Sequence, residues 1–164
     1  MMEGKPVIIH GDGTSLWTMT YNQDFARGFI GLIGNPHAIG QAVQITGEEL
    51  LTWNQIMQSV ANAVGGEYKP CYVPTSLLMK YGKYDFEGSL LGDKSNTVIF
   101  DNTLAHRLTP TWKIQKRFDQ AARESATYFL SHPELQVEDP DYDRFSDAIV
   151  EIMEQAEEKV AALG

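Results

Sequence analysis

The stretch that decides the fold is Val7-Ile8-Ile9-His10-Gly11-Asp12-Gly13, near the start of the chain. Its three β-branched residues predict a short buried strand, and the glycines around Asp12 predict a tight turn directly after it. Further along the sequence, strand-like and helix-like segments alternate, which is typical of an α/β fold. The pattern predicts short strands at 17–20, 41–46, 69–73 and 97–100, and amphipathic helices at 22–33, 52–64, 75–81, 101–108 and 118–132.

The helix predicted at 22–33 has a clear apolar periodicity. Phe25, Phe29, Leu32 and Ile33 recur with the spacing of one helix face, which predicts a buried apolar stripe. Asn22 is predicted to cap this helix. For the helix at 52–64, Thr52 and Gln55 have the spacing of a capping box, in which each side chain satisfies a free backbone amide. Either Asp101 or Asn102 is expected to cap the helix that runs to residue 108.

Length and composition limit the class of protein. A chain of 164 residues with 43% apolar residues is long enough for one domain with a core. No run of 18 apolar residues is present, so a membrane span is not expected, and the amino end does not resemble a signal peptide. Cys71 is the single cysteine, so an intramolecular disulfide is excluded and a reducing cytoplasm is the expected location. The Cys71 thiol is expected to be buried and structural.

The charge is concentrated at one end of the chain. Residues 1–133 carry 11 cations and 12 anions, whereas residues 134–164 carry two cations and ten anions. Neither part offers the basic stripe that nucleic-acid binding requires. We expect two units, a body at 1–133 and an acidic linker with a terminal amphipathic helix at 134–164 that packs on it. The apolar positions of that helix are Ile149, Ile152, Met153, Ala156, Val160 and Leu163.

Several sequence motifs fail the tests for cofactor or metal sites. A dinucleotide loop that begins at Gly11 would need a third glycine where Leu16 stands. Asp139, Asp141 and Asp143 open like a calcium loop, but Arg144 occupies the position that requires glycine. These aspartates are instead expected to cap the last helix, and the four dispersed histidines predict no zinc site. The sequence therefore predicts no catalytic, cofactor or metal residues within this chain.

The three tryptophans receive separate predictions. Trp53 is expected in the core. Trp17 follows the glycine turn and is either core or the wall of a pocket. Trp112 is expected to cover a loop.

Several segments, taken in order, resemble one family. The first are residues 7–13, Asp24-Phe25-Ala26 at the start of a helix, and residues 40–46. They are followed by residues 51–65, Gly92-Asp93, and Phe100-Asp101-Asn102. Together they resemble the carboxy-terminal, substrate-binding part of an extended short-chain dehydrogenase/reductase, of the NAD-dependent epimerase/dehydratase family.

The resemblance implies a Rossmann-like fold in which a dinucleotide-binding half precedes a smaller substrate-binding lobe. In this family a Tyr-x-x-x-Lys pair performs acid/base chemistry beside the nicotinamide. No tyrosine in this sequence is followed by lysine four residues later. The chain is therefore expected to begin in the middle of such a protein and to lack the Rossmann half. It is expected to bind no cofactor itself, whereas NAD or NADP is expected for the full-length parent.

Two departures from the family bear on the substrate. Leu16, Trp17 and Thr18 stand where an arginine usually contacts the diphosphate of a nucleotide sugar. A second arginine usually stands two residues before Gly92-Asp93, where this chain has Leu90. Because arginine suits bidentate phosphate contacts, we expect a small-molecule substrate other than a nucleotide-diphosphate sugar. The candidate substrate-binding residues are Trp17, Thr18, Asp24, Asp93 and Lys94.

Alternatives remain for these candidates and for the function. A structural role in its helix is favoured for Asp24, and Asp93 and Lys94 could equally form a solvated turn. The competing function is a free-standing interaction module that docks through its terminal helix. In either case the surface left bare by the absent half should be apolar and favour a homo-oligomer.

Overall fold

The computed structural model describes residues 1–164, and it has an α/β architecture with small sheets. The strands are β1 (Val7–His10), β2 (Leu16–Trp17), β3 (Leu51–Thr52) and β4 (Pro70–Val73). The α-helices are α1 (Asn22–Leu32), α2 (Trp53–Val64), α3 (Thr75–Leu78), α4 (Thr103–Leu108), α5 (Phe118–Leu130) and α6 (Pro140–Ala161). A π-helical turn spans Glu87–Lys94, and 3₁₀ turns span Pro36–Ala38 and Pro133–Leu135.

The strands form two separate pairs. β1 runs parallel to β4, in a register that places Val7 opposite Pro70 and His10 opposite Val73. β2 runs antiparallel to β3, with Trp17 opposite Leu51. The predicted strands at 7–9 and 69–73 and the α/β class are confirmed, whereas the strand predicted at 17–20 is only the two-residue β2.

The core beside the parallel pair joins β4, the π-turn and α6. It contains Val73, Leu78, Leu90, Phe145 and Ile149, all at most 9% exposed. The amino-terminal half of α6 therefore packs on the body of the chain. Beyond Met153 the helix is exposed on every side.

The stripe predicted on α1 is wrong for three of its four residues, and only Leu32 packs, half-buried, against the core of Ile45, Ala105 and Trp112. Phe25, Phe29 and Ile33 are 45%, 53% and 68% exposed, and the buried residues of the helix are Asp24 and Gly28. A Cβ at Gly28 would lie only 2.9 Å from Ile45 Cγ2 and 3.0 Å from Trp112. The helix thus approaches the core through its smallest side chains, which leaves no room there for aromatic rings.

Two further strand predictions are wrong, because side chains replace the expected strand pairing. Residues 41–46 and 97–100 have no regular structure. Asn102 instead accepts a hydrogen bond from the Thr46 amide at 3.1 Å and donates to the Thr46 carbonyl at 2.9 Å. Near 97–100, the Val98 amide makes one backbone bond to Leu16, at 3.4 Å.

Caps at the helix starts were predicted with mixed success. The capping box of Thr52 and Gln55 is confirmed at α2, and Asp139 caps α6 by accepting from the amides of Asp141 and Tyr142. The cap predicted at Asn22 is wrong, since Asn22 is the first helical residue and its neighbour Tyr21 makes no side-chain cap bond. At α4, Asp101 rather than Asn102 supplies the bond, to the Thr103 amide at 2.8 Å.

Trp112 does not cover a loop, because it is 4% exposed and packs in a second core with Ile45 and Ala105. Its indole Nε1 donates to the Asp24 carbonyl at 2.9 Å. None of the helices combines the length and the apolar character that crossing a membrane would demand.

Candidate functional site

One backbone carbonyl organises the candidate site. The Lys94 oxygen accepts hydrogen bonds from Ser15 Oγ at 3.0 Å, Trp53 Nε1 at 3.1 Å and His10 Nε2 at 3.1 Å. These donors come from the end of β1, the following turn and the start of α2. Four segments that are distant in sequence therefore meet at the carboxyl end of the π-turn.

The turn after β1 is held firmly on both sides. The Gly11 amide donates to Val73 in β4 at 2.8 Å, and the Asn54 amide and side chain donate to the carbonyls of Gly13 and Asp12, each at 3.0 Å. Gly13 has φ +70°, and a Cβ there would lie 2.4 Å from Asn54 Oδ1. Only glycine fits this close approach of the turn to α2.

Beside the Lys94 carbonyl lies a polar cavity of about 330 Å³, which is within the size range of small-molecule sites. Thr75 and Ser95 hydrogen-bond to each other across it at 2.9 Å. No apolar side chain and no cation lines it. Its lining residues are His10, Gly11, Asp12, Thr14, Ser15, Thr75, Ser95 and Thr97.

The two titratable groups of the cavity have shifted pKa values. Burial lowers the pKa of His10, and the nearby Lys94 ammonium lowers it further, against the opposing effect of the carbonyl bond. The pKa of Asp12 is also lowered, because its carboxylate accepts from the Thr14 hydroxyl at 2.6 Å and from the Thr14 amide at 3.0 Å. Near neutral pH the cavity therefore holds an uncharged imidazole and a carboxylate.

An aromatic group adjoins this cavity. The rings of Trp17 and Trp53 are 6.0 Å apart, and Trp53 meets the His10 ring edge-on at 5.2 Å. Lys94 Nζ lies 5.8 Å from the Trp17 ring and 3.0 Å from Asp93 Oδ2. Three of the predicted binding residues, Trp17, Asp93 and Lys94, are thus brought together. Trp53 is half-buried and belongs to this group rather than to either core cluster.

The other two predicted residues are buried. Thr18 is 8% exposed, and its hydroxyl has no hydrogen-bond partner. Asp24 is fully buried, pairs with Arg27, and accepts from the amides of Gln115 at 3.1 Å and Lys116 at 3.2 Å. Its carboxylate fastens the segment before α5 to α1, which is a structural role other than the helix capping that the sequence favoured.

Sequence reasoning missed the residues that line the cavity, among them His10, Ser15, Thr75 and Ser95. A usable signal existed, since His10 and Thr75 each follow or end a predicted strand. The carboxyl ends of parallel strands meet at one edge of a sheet, where ligands of α/β proteins commonly bind. The parallel pairing of β1 with β4 was the missing information.

The two places where the sequence resemblance led us to look for an arginine hold apolar residues. Leu90 is 9% exposed and lies in the core with Phe145 and Ile149. Leu16 and Trp17 form β2. No arginine lines the cavity, so its lining has no guanidinium for bidentate phosphate contacts.

Comparison with curated proteins gives partial matches. No protein-family model matches the chain. A 2'-dehydrokanamycin reductase from Streptomyces kanamyceticus is 24% identical over 111 residues, which cover 67% of this chain and 31% of that protein. An uncharacterized UDP-glucose epimerase from Bacillus subtilis is 31% identical over 64 residues, which cover 39% of this chain and 20% of that protein.

Solved structures match more of the chain. An epimerase from Methanothermobacter thermautotrophicus superposes with a TM-score of 0.65 at 19% identity, over 82% of this chain and 35% of its own. UDP-glucuronic acid 4-epimerase from Bacillus cereus, in complex with UDP-glucuronic acid and NAD, superposes with a TM-score of 0.61 at 21% identity. The match covers 79% of this chain and 36% of that chain. A GDP-L-fucose synthetase from Naegleria fowleri bound to NADP superposes with a TM-score of 0.59 at 19% identity. The match covers 80% of this chain and 36% of that chain.

These likenesses define the fold as that of one part of the NAD-dependent epimerase/dehydratase and short-chain dehydrogenase enzymes. The resemblance predicted from the sequence, to a carboxy-terminal part of such proteins, is confirmed at this level. The chain spans about a third of the length of the solved structures that it matches.

Proposed function

We propose that this chain is the substrate-binding portion of an NAD(P)-dependent epimerase, dehydratase or reductase. The convergence of His10, Ser15 and Trp53 on the Lys94 carbonyl carries the proposal, because it fixes the walls of a polar cavity in a fold shared with such enzymes. The chain supplies contacts to the substrate. The acid/base pair and the dinucleotide site belong to the remaining part of a longer protein, with NAD or NADP as its cofactor.

The substrate is a small molecule other than a nucleotide-diphosphate sugar. Asp12 is the one charged residue that lines the cavity, and a carboxylate repels phosphate. Trp17 and its neighbours Asp93 and Lys94 flank the site and are the expected contacts for the more distant part of the substrate.

The test is a titration of the isotope-labelled chain, followed by nuclear magnetic resonance at the indole N–H signals of Trp17 and Trp53. Unphosphorylated sugars and cyclitols should shift the Trp53 signal saturably, and NAD and UDP-glucose should not. Saturable NAD binding, or turnover by the chain alone, would refute the assignment of the dinucleotide site and the acid/base pair to another part of the protein. Micromolar binding of UDP-glucose would refute the substrate class.

A second candidate is a free-standing interaction module, favoured by the exposed end of α6. Ile152 and Val160 are 50% and 68% exposed on that helix, and Leu163, just after it, is 86% exposed. This alternative gains support if none of the sugars shifts the Trp53 signal while a partner protein is retained by the chain. That partner should be lost when Val160 and Leu163 are both changed to glutamate.

A further inference from the structure

His10 is held in one tautomer by its contact with the Lys94 carbonyl. A carbonyl oxygen only accepts hydrogen bonds, so at 3.1 Å the His10 Nε2 must carry the proton. The Nδ1 of the uncharged ring is then an acceptor. It has no hydrogen-bond partner within the chain and is not among the buried unpaired polar atoms, so it is accessible, and His10 is one of the residues that line the cavity.

Asp12 offers a second free acceptor. Its Oδ1 is occupied by the hydroxyl and the amide of Thr14, whereas its Oδ2 makes no hydrogen bond. Asp12 makes no salt bridge, and the ammonium of Lys94 donates instead to Asp93 Oδ2 at 3.0 Å and to the Ser89 carbonyl at 3.4 Å. The negative charge of Asp12 is therefore not neutralised by a lysine or arginine.

Three of the five hydroxyl protons of the cavity are already used in hydrogen bonds within the chain. Ser15 gives its proton to the Lys94 carbonyl, and Thr14 gives its proton to Asp12. One proton of the Thr75 and Ser95 pair is used between the two oxygens, while the second proton and that of Thr97, whose oxygen accepts from the Leu16 amide, stay free to donate. The lone pairs left on these oxygens face a ligand as acceptors.

We propose that this cavity recognises a ligand rich in hydrogen-bond donors, an aminated polyol, through His10 Nδ1 and Asp12 Oδ2. The proposal rests on the proposed function, whose substrate class it narrows. Hydroxyl groups of the ligand donate to His10, and an ammonium group pairs with Asp12. A phosphate or carboxylate brought close to Asp12 meets a like charge that no salt bridge offsets, which disfavours such ligands.

The test uses D-glucosamine, D-glucose and D-glucose 6-phosphate as probes of the full 164-residue chain, with the Trp53 indole and His10 ring signals as readouts. Glucosamine should bind about tenfold more tightly than glucose, as expected for one charge-assisted contact, and glucose 6-phosphate should not bind. Asp12→Asn keeps the Oδ1 acceptor for Thr14 and removes the charge. It should reduce the preference for glucosamine over glucose to near one.

The matched control is Asp101→Asn. Asp101 binds the amide and hydroxyl of Thr103 in the way that Asp12 binds Thr14, but it lies outside the cavity. The Asp101→Asn variant should bind all three probes as the native chain does. His10→Gln retains a donor for the Lys94 carbonyl but displaces the Nδ1 acceptor. It should therefore lower the affinities for glucose and for glucosamine by a similar factor of about five to ten.

The outcomes separate the two proposals. If glucose and glucosamine bind equally well to the native chain and to both site variants, the donor-rich cavity is refuted and the substrate-binding role stands. Tighter binding of glucose 6-phosphate than of glucosamine refutes it as well. If neither unphosphorylated sugar shifts Trp53 and NAD binds saturably, the proposed function itself fails.

Discussion

At the scale of single residues, Asp24 shows how one carboxylate can hold distant segments together. It is fully buried, and it accepts two backbone amides from residues 115 and 116 while it pairs with Arg27. A buried charge is tolerated only when its partners are present. An aspartate in the first turn of a helix usually stabilises only that helix, through its dipole. The sequence therefore did not indicate that Asp24 also binds a distant segment.

Asp24→Asn should lower the free energy of unfolding by about 3 kcal/mol. The amide group of asparagine would place a donor against one of the two backbone amides, and the Arg27 charge would lose its partner. Urea denaturation followed by tryptophan fluorescence measures the change. Asp119→Asn is the control, because Asp119 pairs with Arg117 and Arg123 at the surface and should change stability by less than about 1 kcal/mol.

At the scale of elements, the helices depend on the residues that begin them. In α2, the Thr52 side chain accepts from the Gln55 amide at 3.2 Å, and the Gln55 side chain accepts from the Thr52 amide at 2.9 Å. In α6, Asp139 accepts two amides with Oδ1 and the Tyr84 hydroxyl with Oδ2. These caps orient α2 toward the candidate site and α6 toward the core.

Thr52→Ala should destabilise the chain by about 1 kcal/mol, since the Gln55 amide loses its acceptor and the reciprocal bond of the capping box is weakened. Because Trp53 follows directly, the variant should also weaken the Trp53 contact with Lys94. Thermal unfolding gives the first quantity, and the Trp53 indole signal gives the second. Thr127→Ala, within the exposed face of α5, should change neither quantity appreciably.

The start of α6 should be sensitive to acid. Hydrogen bonds from the backbone of Tyr142 and from the Tyr84 hydroxyl lower the pKa of Asp139 below its usual 3.8. A carboxyl with a lowered pKa contributes stability that is complete above the usual value and is lost as the pH falls below it. Helical circular dichroism should therefore decrease in this range, and Asp139→Asn should flatten that dependence.

The control for this acid sensitivity is Asp143→Asn, which removes a charge from the same end of α6. The Asp143 carboxylate makes no hydrogen bond in the structure, so the native acid response should persist in this variant. An Asp139→Asn variant that unfolds in acid as the native chain does would contradict the assignment.

At the scale of the whole molecule, the surface exposes large apolar side chains that belong to neither core cluster. Phe25 and Phe29 stack on each other at 6.0 Å on the exposed side of α1, next to Ile30 and Ile33. Exposed apolar patches of this kind mark contact surfaces or cause association. The sequence predicted an apolar, associating surface but did not place it on α1.

We expect the chain to self-associate as its concentration rises. Changing Phe29 and Ile33 to serine should shift sedimentation velocity profiles toward the monomer, because the α1 face loses two large apolar groups while the buried Asp24 side is untouched. Changing Ile99 and Val137, which are exposed elsewhere, is the control. Equal association of the native and α1 variants would exclude this face.

The sequence by itself determined the features that depend on near neighbours. The β-branched run of β1, the glycine turn, the capping box of α2 and the aspartate cap of α6 are all local signals. The order of these elements also sufficed to indicate the α/β class and the resemblance to one family. Each of these features is encoded within a few residues, where propensity and hydrogen-bond spacing act directly.

Only the tertiary structure decided which surfaces meet. Asp24 and Gly28 rather than the aromatic residues face the core, since a close helix approach excludes large side chains. The Lys94 carbonyl gathers donors from as far as 84 residues away in sequence. Hydrophobic periodicity reports that a helix has two faces, but packing across the molecule decides which face is buried and which polar groups converge into a cavity.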